Sequence, residues 1–337
     1  MKKIILGLPQ TFSLYASIKK NLEFHGYTVI DISYPNHDFQ YRNFGERITN
    51  TFRKLFLNDK HYKNKLKFKP YQNEITNKLK SVKNADAALL IRADIYPEKV
   101  IKLIKSKSNQ LISYHWDGLA RFPQILDYIT YFDRFFIFDP EDFNTHQNNH
   151  FFSSTNFYFD YYSNTNSKND EFDIFYIGST GGKRVQYINN FIEKTEHLNL
   201  NNKFLLHFTN SVDVQENTNI EYIDKHKTYD DNISFVKRSA IIFDLVSDSH
   251  QGLSFRFFEG LQLSKKLITN NPSISKYDFY HPNNIFIWDG ESLEGFEDFL
   301  KLPYQEIPKE VKEKYSFKNW IKYLLNEKPY TVIDIPR

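Results

Sequence analysis

The sequence predicts an α/β protein of two doubly wound domains, each a parallel sheet with helices on both faces. Three observations lead there. Short apolar runs alternate with amphipathic helical patterns almost end to end, one wholly polar run interrupts the alternation, and the alternation then restarts. A length of 337 residues fits two domains of roughly 100 to 200 residues each, and 40% apolar residues supply a core for both.

The first half opens as βαβ. Lys3 to Leu6 reads as a buried strand, Phe12 to His25 as an amphipathic helix and Tyr27 to Ile32 as a second strand beyond the Gly26 stop. Strands continue at Asp86 to Ile91, Gln110 to Tyr114 and Arg134 to Phe138, separated by helices at Pro97 to Lys105 and Phe122 to Tyr128. A Lys-rich, mostly helical insertion occupies residues 33–80. Ser163 to Asp170 contains eight polar residues and no apolar one, which marks a linker. Beyond it come strands at 172–177, 204–208, 240–246 and 266–269, helices at 184–196, 229–237 and 254–264, and a terminal amphipathic helix at 316–326. The expected domains are therefore 1–165 and 171–315, with a C-terminal helix and tail at 316–337. Open α/β sheets bind ligands beyond the carboxyl ends of their strands, so the two Rossmann-like halves are expected to face one cleft.

Composition narrows the function. With 44 basic and 41 acidic side chains the net charge is +3, without the basic excess of a dedicated nucleic-acid binder, and no nucleic-acid partner is expected. The absence of cysteine rules out disulfides, thiolate zinc sites and cysteine nucleophiles, and fits a reducing compartment. Pro9, Gln10 and Thr11 stop the apolar start too soon for a signal peptide. No apolar stretch approaches the roughly 18 to 20 residues that span a bilayer, so a cytoplasmic location is expected. Lys greatly outnumbers Arg, so a retained Arg marks a position where a planar, forked donor is wanted.

Several enzyme motifs are missing: G-x-G-x-x-G, G-x-S-x-G, H-E-x-x-H and the kinase set. No Asp-x-Asp pair offers to clamp a metal, and no metal or other cofactor is expected. Gly178-Ser179-Thr180-Gly181-Gly182-Lys183 is one residue short of a Walker loop and is followed by Arg184. It still follows a strand and opens a helix, so its backbone N–H groups with Lys183 or Arg184 can cradle a diphosphate; a plain βα turn is the alternative. The strongest constellation is the strand Ala240 to Val246, the polar loop Ser247 to Leu253 and a helix capped by Ser254. Arg256 and Glu259 share one face near that helix start. A carboxylate there can accept ribose hydroxyls, and an arginine can reach a phosphate or hold the carboxylate; a surface ion pair is the alternative.

The segment Gly252 to Leu261 with Lys265 to Asn271 resembles the R-x-x-E-x-L…K-x-(L/V)-I-T-N signature of GT-B glycosyltransferases from capsule, O-antigen and lipooligosaccharide clusters. Phe175-Tyr176-Ile177-Gly178-Ser179 followed by Arg184 is similar to the donor-domain start of spore-maturation-type glycosyltransferases. The resemblance covers Phe172 to Asn271 in motif and the first half in topology only. It implies a metal-independent transferase with a nucleotide-sugar donor in the second domain and a glycan or lipid-linked glycan acceptor in the first. Glu259 would then hold the ribose, and Arg256, Arg184, Gly178 and Ser179 would lie near the diphosphate. The family's E-x7-E motif is incomplete because Gly252 replaces its first carboxylate, which leaves the role of His250 and the transfer stereochemistry open. A non-catalytic sugar- or nucleotide-binding protein and a sugar-nucleotide epimerase of the same fold are the competing readings.

In the first half, a strand running into His115-Trp116-Asp117 offers an imidazole, an aromatic face and a carboxylate at a sheet edge, so Asp117 or His115 can act as base toward an attacking hydroxyl. Asp117 as a helix cap and Trp116 as core is the alternative. Arg92-Ala93-Asp94 is a lesser site of the same kind, and Asp139 is read as a cap for the helix begun by Pro140. Basic residues interleave with apolar ones from Arg53 to Lys69. That stretch can rest on an anionic membrane surface or be a solvated helix face.

Overall fold

The computed structural model describes residues 1–10, 14–35, 39–57, 59–146, 150–162, 170–181, 183–208, 219–246 and 251–336. The chain forms two units, Met1–Ser154 with Ile321–Tyr330, and Thr155–Trp320 with Thr331–Arg337.

The first unit contains β1 (Lys3–Gly7), α1 (Leu14–Phe24), β2 (Thr28–Asp31), α2 (Phe44–Phe56), α3 (Tyr62–Phe68), α4 (Gln72–Ser81), β3 (Ala87–Ile91), α5 (Glu98–Lys105), β4 (Leu111–His115), β5 (Arg134–Ile137), α6 (Pro140–Thr145) and β6 (Phe152–Ser153). All six strands are parallel, in the order β2-β1-β3-β4-β5-β6. Every residue of β3 and β4 is buried, the apolar run of β3 and the Ser113 and His115 of β4 alike. α5 shows the local logic. Pro97 precedes it, Val100, Ile101 and Ile104 form its buried stripe, and Glu98 opens while Lys102 and Lys105 close it in the sense that complements the helix dipole. Residues 321–330 return to this unit, where Arg134 Nη1 donates to the carbonyls of Tyr323 and Leu324.

The second unit contains β7 (Phe172–Ser179), α7 (Arg184–Thr195), β8 (Asn202–His207), β9 (Ile220–Ile223), α8 (Tyr229–Lys237), β10 (Ser239–Asp244), α9 (Phe255–Leu263), β11 (Lys266–Thr269), β12 (Ile285–Ile287), α10 (Phe296–Lys301) and α11 (Lys309–Lys314). α12 (Phe317–Leu324) follows and runs on into the first unit. Its sheet is also wholly parallel, ordered β9-β8-β7-β10-β11-β12. The core is aromatic. Phe191 lies 4.9 Å from Phe243, 5.3 Å from Trp288 and 5.6 Å from Phe296, ring centre to ring centre.

The predicted fold class of two doubly wound sheets is the observed one, and the predicted strands lie within a few residues of their positions. Three strands were not anticipated. β6, β9 and β12 are edge strands of two to four residues, too short for a hydrophobic period to show. Residues 123–131 form a 3-10 rather than an α-helix. The polar run of 163–169 lies outside the described residues. The chain passes between units ahead of it, because Thr155 to Tyr162 belongs with the second: Asn156 Nδ2 donates to Leu253 O at 2.9 Å, and the Phe157 ring centre lies 4.2 Å from that of Trp320. Among the described residues no helix is long and apolar enough to cross a membrane.

Phe191→Ala should lower stability by about 3–5 kcal/mol, the usual cost of deleting a buried aromatic ring, measured as a shift in urea denaturation.

Candidate functional site

In the second sheet the strand order reverses at β7, with β8 on one side and β10 on the other, so the crevice for a ligand lies at the carboxyl ends of β7 and β10. The pairing opens that crevice. β7 shares its last rung with β10 at Phe175 and Ile242, yet stays paired to β8 as far as Ser179 and His207. By that register Ile177 lies level with Asp244 and only Gly178 and Ser179 run past β10; the Ile177 carbonyl, at the edge of the step, accepts from Arg256 Nη2.

Asp244, the last residue of β10, organises the β10 side. It is 1% exposed, and its carboxylate accepts from Ser254 Oγ at 2.7 Å, Arg256 Nη1 at 3.2 Å and Thr269 Oγ1 at 3.3 Å. Ser254 is also the predicted cap of α9, accepting from the Arg256 amide at 3.3 Å. The Arg256 guanidinium lies 5.2 Å from the Tyr176 ring centre and keeps 23% of its side chain exposed. Gly178 belongs here for a steric reason, since a Cβ on it would collide with the Tyr176 hydroxyl. Across the crevice Arg184 opens α7 and donates through Nη1 to Ser179 Oγ at 3.0 Å. The structure thus brings Gly178, Ser179, Arg184, Ser254 and Arg256 to one sheet edge.

Glu259 requires a correction. It was expected to sit beside Arg256 as an accessible ribose acceptor. It is instead 1% exposed, with both oxygens accepting from Asn232 Nδ2 at 3.2 Å and a further hydrogen bond from Tyr229, so it ties α9 to α8. Burial pushes its carboxyl above the usual range, although Arg256 opposes this. The physical reason is depth along the helix: from Phe257 to Leu261 every residue of α9 is buried, whereas Arg256, one turn earlier on the same face, is only half-buried. His250 and Gly182 fall outside the described residues.

The first sheet reverses between β1 and β3, and the residues following β3 and its other neighbour β4 meet at the carboxyl ends of those two strands. Arg92 adopts a left-handed backbone, φ 59° and ψ 56°, a conformation that costs a non-glycine residue about 1–3 kcal/mol and needs compensation. Its side chain supplies it. Nε and Nη2 form a fork on Asp94 at 2.7 and 2.9 Å, Nη1 reaches Asp117 at 3.0 Å, and the guanidinium stacks 3.2 Å from the centre of the Phe122 ring. Arg121 Nη1 holds the other Asp117 oxygen at 2.8 Å. Asp117 is therefore the hub of a two-arginine cluster and not the helix cap of the alternative reading.

His115 is the second correction. It was expected at the edge as an acid or base, but its side chain is fully buried, and neither ring nitrogen has a hydrogen-bond partner among the described residues. Burial, with the Arg92 charge nearby, holds it well below the ordinary imidazole value, so it stays neutral. It lies on the β4 face that also carries buried Ser113, paired in register with Phe135 and Ile137 of the core. The loop after β4 is fastened by Asp142, which accepts from the Leu119 amide at 2.9 Å, and Asp139 caps α6 as expected.

Asp244, Asn232, Tyr229 and Arg121 were missed as site residues. A lone acid ending an otherwise apolar strand, Ile241-Ile242-Phe243-Asp244, was the signal available for the first. Asn232 and Tyr229 lie 27 and 30 residues from Glu259, whereas Arg121 is only four residues from Asp117 and was legible as an i,i+4 pair.

No family model matches the sequence, and no curated protein matches it. The fold is similar to several solved structures. One is an alpha-glucosyltransferase in complex with UDP and a 13-mer DNA containing an HMU base, at 11% identity over 96% of this chain and 99% of that one, TM-score 0.60. Another is a UDP-forming α,α-trehalose-phosphate synthase from Burkholderia xenovorans, at 11% identity over 97% and 98%, TM-score 0.57. A third is the corresponding UDP-forming synthase from Burkholderia vietnamiensis, at 9% identity over 97% of each chain, TM-score 0.54. At such identities the likeness is one of fold, and the chain has the GT-B architecture of two Rossmann-like domains.

Arg92→Ala should cost about 3–5 kcal/mol in chemical denaturation, because it leaves the buried Asp94 unpaired. A pH test concerns Asp142, whose carboxyl is pushed up to about 6 by burial against an ordinary value of 3.8. As pH rises from about 4 to 6 the unfolded chain releases this proton while the folded one keeps it, so stability should fall across that window. Asp142→Asn should flatten that part of the pH–stability curve.

Proposed function

We propose that the protein is a metal-independent glycosyltransferase that moves a sugar from a nucleoside-diphosphate sugar to a hydroxyl of a surface-polysaccharide or lipid-linked glycan acceptor. The observation that carries this reading is the crevice at the end of β7 and β10, where two guanidinium groups, Arg184 and Arg256, flank the overhanging Gly178-Ser179 backbone and the Ile177 carbonyl before it. A diphosphate placed there meets two positive charges, backbone N–H groups and the start of α7. The leaving nucleotide gains negative charge as the glycosidic bond breaks, so preorganised cations stabilise the transition state more than the bound donor. Those two cations are the counter-charge that a metal provides in other transferases.

UDP is the first nucleotide to test, being bound in a structure of similar fold. The work would take place in the cytoplasm, where nucleotide sugars are made. The first unit would hold the acceptor through Trp116 and the Arg92–Asp117–Arg121 cluster. Asp117 or His115 was expected to act as base toward the acceptor hydroxyl, the group an inverting reaction needs. Both Asp117 oxygens are committed to arginines and His115 is enclosed, so we assign Asp117 a positioning role and leave the acceptor proton to an oxygen of the departing phosphate, as retention allows.

Three measurements test this. UDP and a UDP-sugar should raise the melting temperature of the purified protein by mass action, and no shift with UDP, GDP, CMP or their sugars would overturn the proposal. Arg184→Ala should weaken donor binding roughly 10- to 100-fold, the worth of one charge-assisted hydrogen bond, with the melting temperature of the free protein unchanged. Asp117→Asn should retain transfer within about tenfold, whereas loss of a general base would cost about 100-fold or more with donor affinity intact.

A further inference from the structure

α2 is built the wrong way round for a helix of a globular domain. None of its residues is buried, yet it is strongly amphipathic. Its polar side faces the protein: Asn50 Nδ2 donates to Tyr41 Oη at 2.9 Å, and Arg53 donates to Asp59 at 2.8 and 3.0 Å while stacking over Tyr62. Phe44, Ile48, Phe52, Leu55 and Phe56 fall on one side of the helix at 100° per residue, and their exposures run from 52% to 74%. With Leu57 they make up half of the large apolar side chains that the described residues leave exposed. An apolar stripe of this size is costly in water unless something covers it.

Charge identifies what does. Between Arg42 and Lys69 the sequence carries nine basic and two acidic residues, against an excess of three for the whole chain. Arg47 and Lys54 border the apolar stripe, and Lys60, Lys63, Lys67 and Lys69 follow it. A second copy of the chain seated on this helix would bring two such basic clusters together. A nucleic acid would answer the charge but leave the phenyl rings in water. An anionic bilayer answers both, taking the rings at the level of the headgroups and the lysines at its charged surface.

We propose that α2 is a seat for an anionic lipid surface, lying in the plane of the membrane with Phe44, Ile48, Phe52, Leu55 and Phe56 inserted. The expected contact of residues 53–69 is thereby moved toward the chain start: α2 inserts, and the lysines from Lys60 onward steer. The inference stands on α2 alone, and donor binding can fail without touching it.

Co-sedimentation with vesicles tests it. The full-length protein should bind vesicles of phosphatidylcholine with about one third phosphatidylglycerol at least tenfold better than phosphatidylcholine alone, and raised salt should weaken the binding. F52E/F56E should abolish binding while leaving the melting temperature and any UDP-induced shift unchanged, since both rings are exposed. R47E/K54E should reduce the preference for anionic vesicles and keep the fold. Three results would overturn the proposal: equal partition of the protein and F52E/F56E, a concentration-dependent dimer dissolved by F52E/F56E without vesicle binding, or duplex-DNA binding in place of vesicle binding.

Discussion

A carboxylate at the end of an apolar strand is costly unless its lone pairs are met, and in the second unit that constraint fixes the architecture of the site. Asp244 is 1% exposed behind Ile241, Ile242 and Phe243. Its partners arrive from a helix cap, a guanidinium and a neighbouring strand, so the helix start, β10 and β11 are locked to one another by a single side chain. Arg256 then has its fork turned to the Ile177 carbonyl, one residue before β7 outruns β10, and keeps 23% of its side chain exposed. The positive charge is held before any ligand arrives, which is the condition for electrostatic catalysis.

The first unit solves the same problem with the signs reversed. Arg92 is the buried ion there, held in a strained backbone by Asp94, Asp117 and the Phe122 ring. Both clusters sit at the carboxyl ends of parallel strands, the edge that covering helices leave uncovered, and the second sits where its sheet reverses strand order. The rigidity of each edge has a consequence for chemistry: groups so fully committed to one another position and polarise, and they are poorly suited to exchanging protons.

Period and punctuation made most of the fold legible. Pro97 ahead of α5, Ser254 ahead of α9 and Asp139 ahead of α6 are local signals, and each stands where its side chain or ring predicts. Arg256 was legible for a different reason, as a fork kept in a lysine-rich chain. Glu259 and His115 were misjudged because burial is a tertiary property. The sequence shows that Glu259 is three residues from Arg256, but that Asn232 and Tyr229 of α8 close over it depends on packing between helices 27 and 30 positions apart. His115 ends a strand in the expected place, and its face of β4 turns inward because register with β5 puts Ile137 beside it. The apolar side of α2 was read as part of a mixed basic stretch, since the sequence does not reveal which side of an amphipathic helix meets the protein.

The central claim is that the carboxyl edge between β7 and β10 holds a nucleoside diphosphate. A crystal structure of the protein with UDP tests it most directly. The account predicts the diphosphate within hydrogen-bond reach of Arg184, Arg256 and the Gly178–Ser179 backbone. A diphosphate bound at the opposite edge, in the hollow lined by Asp173, Ile241 and Lys266, would contradict it.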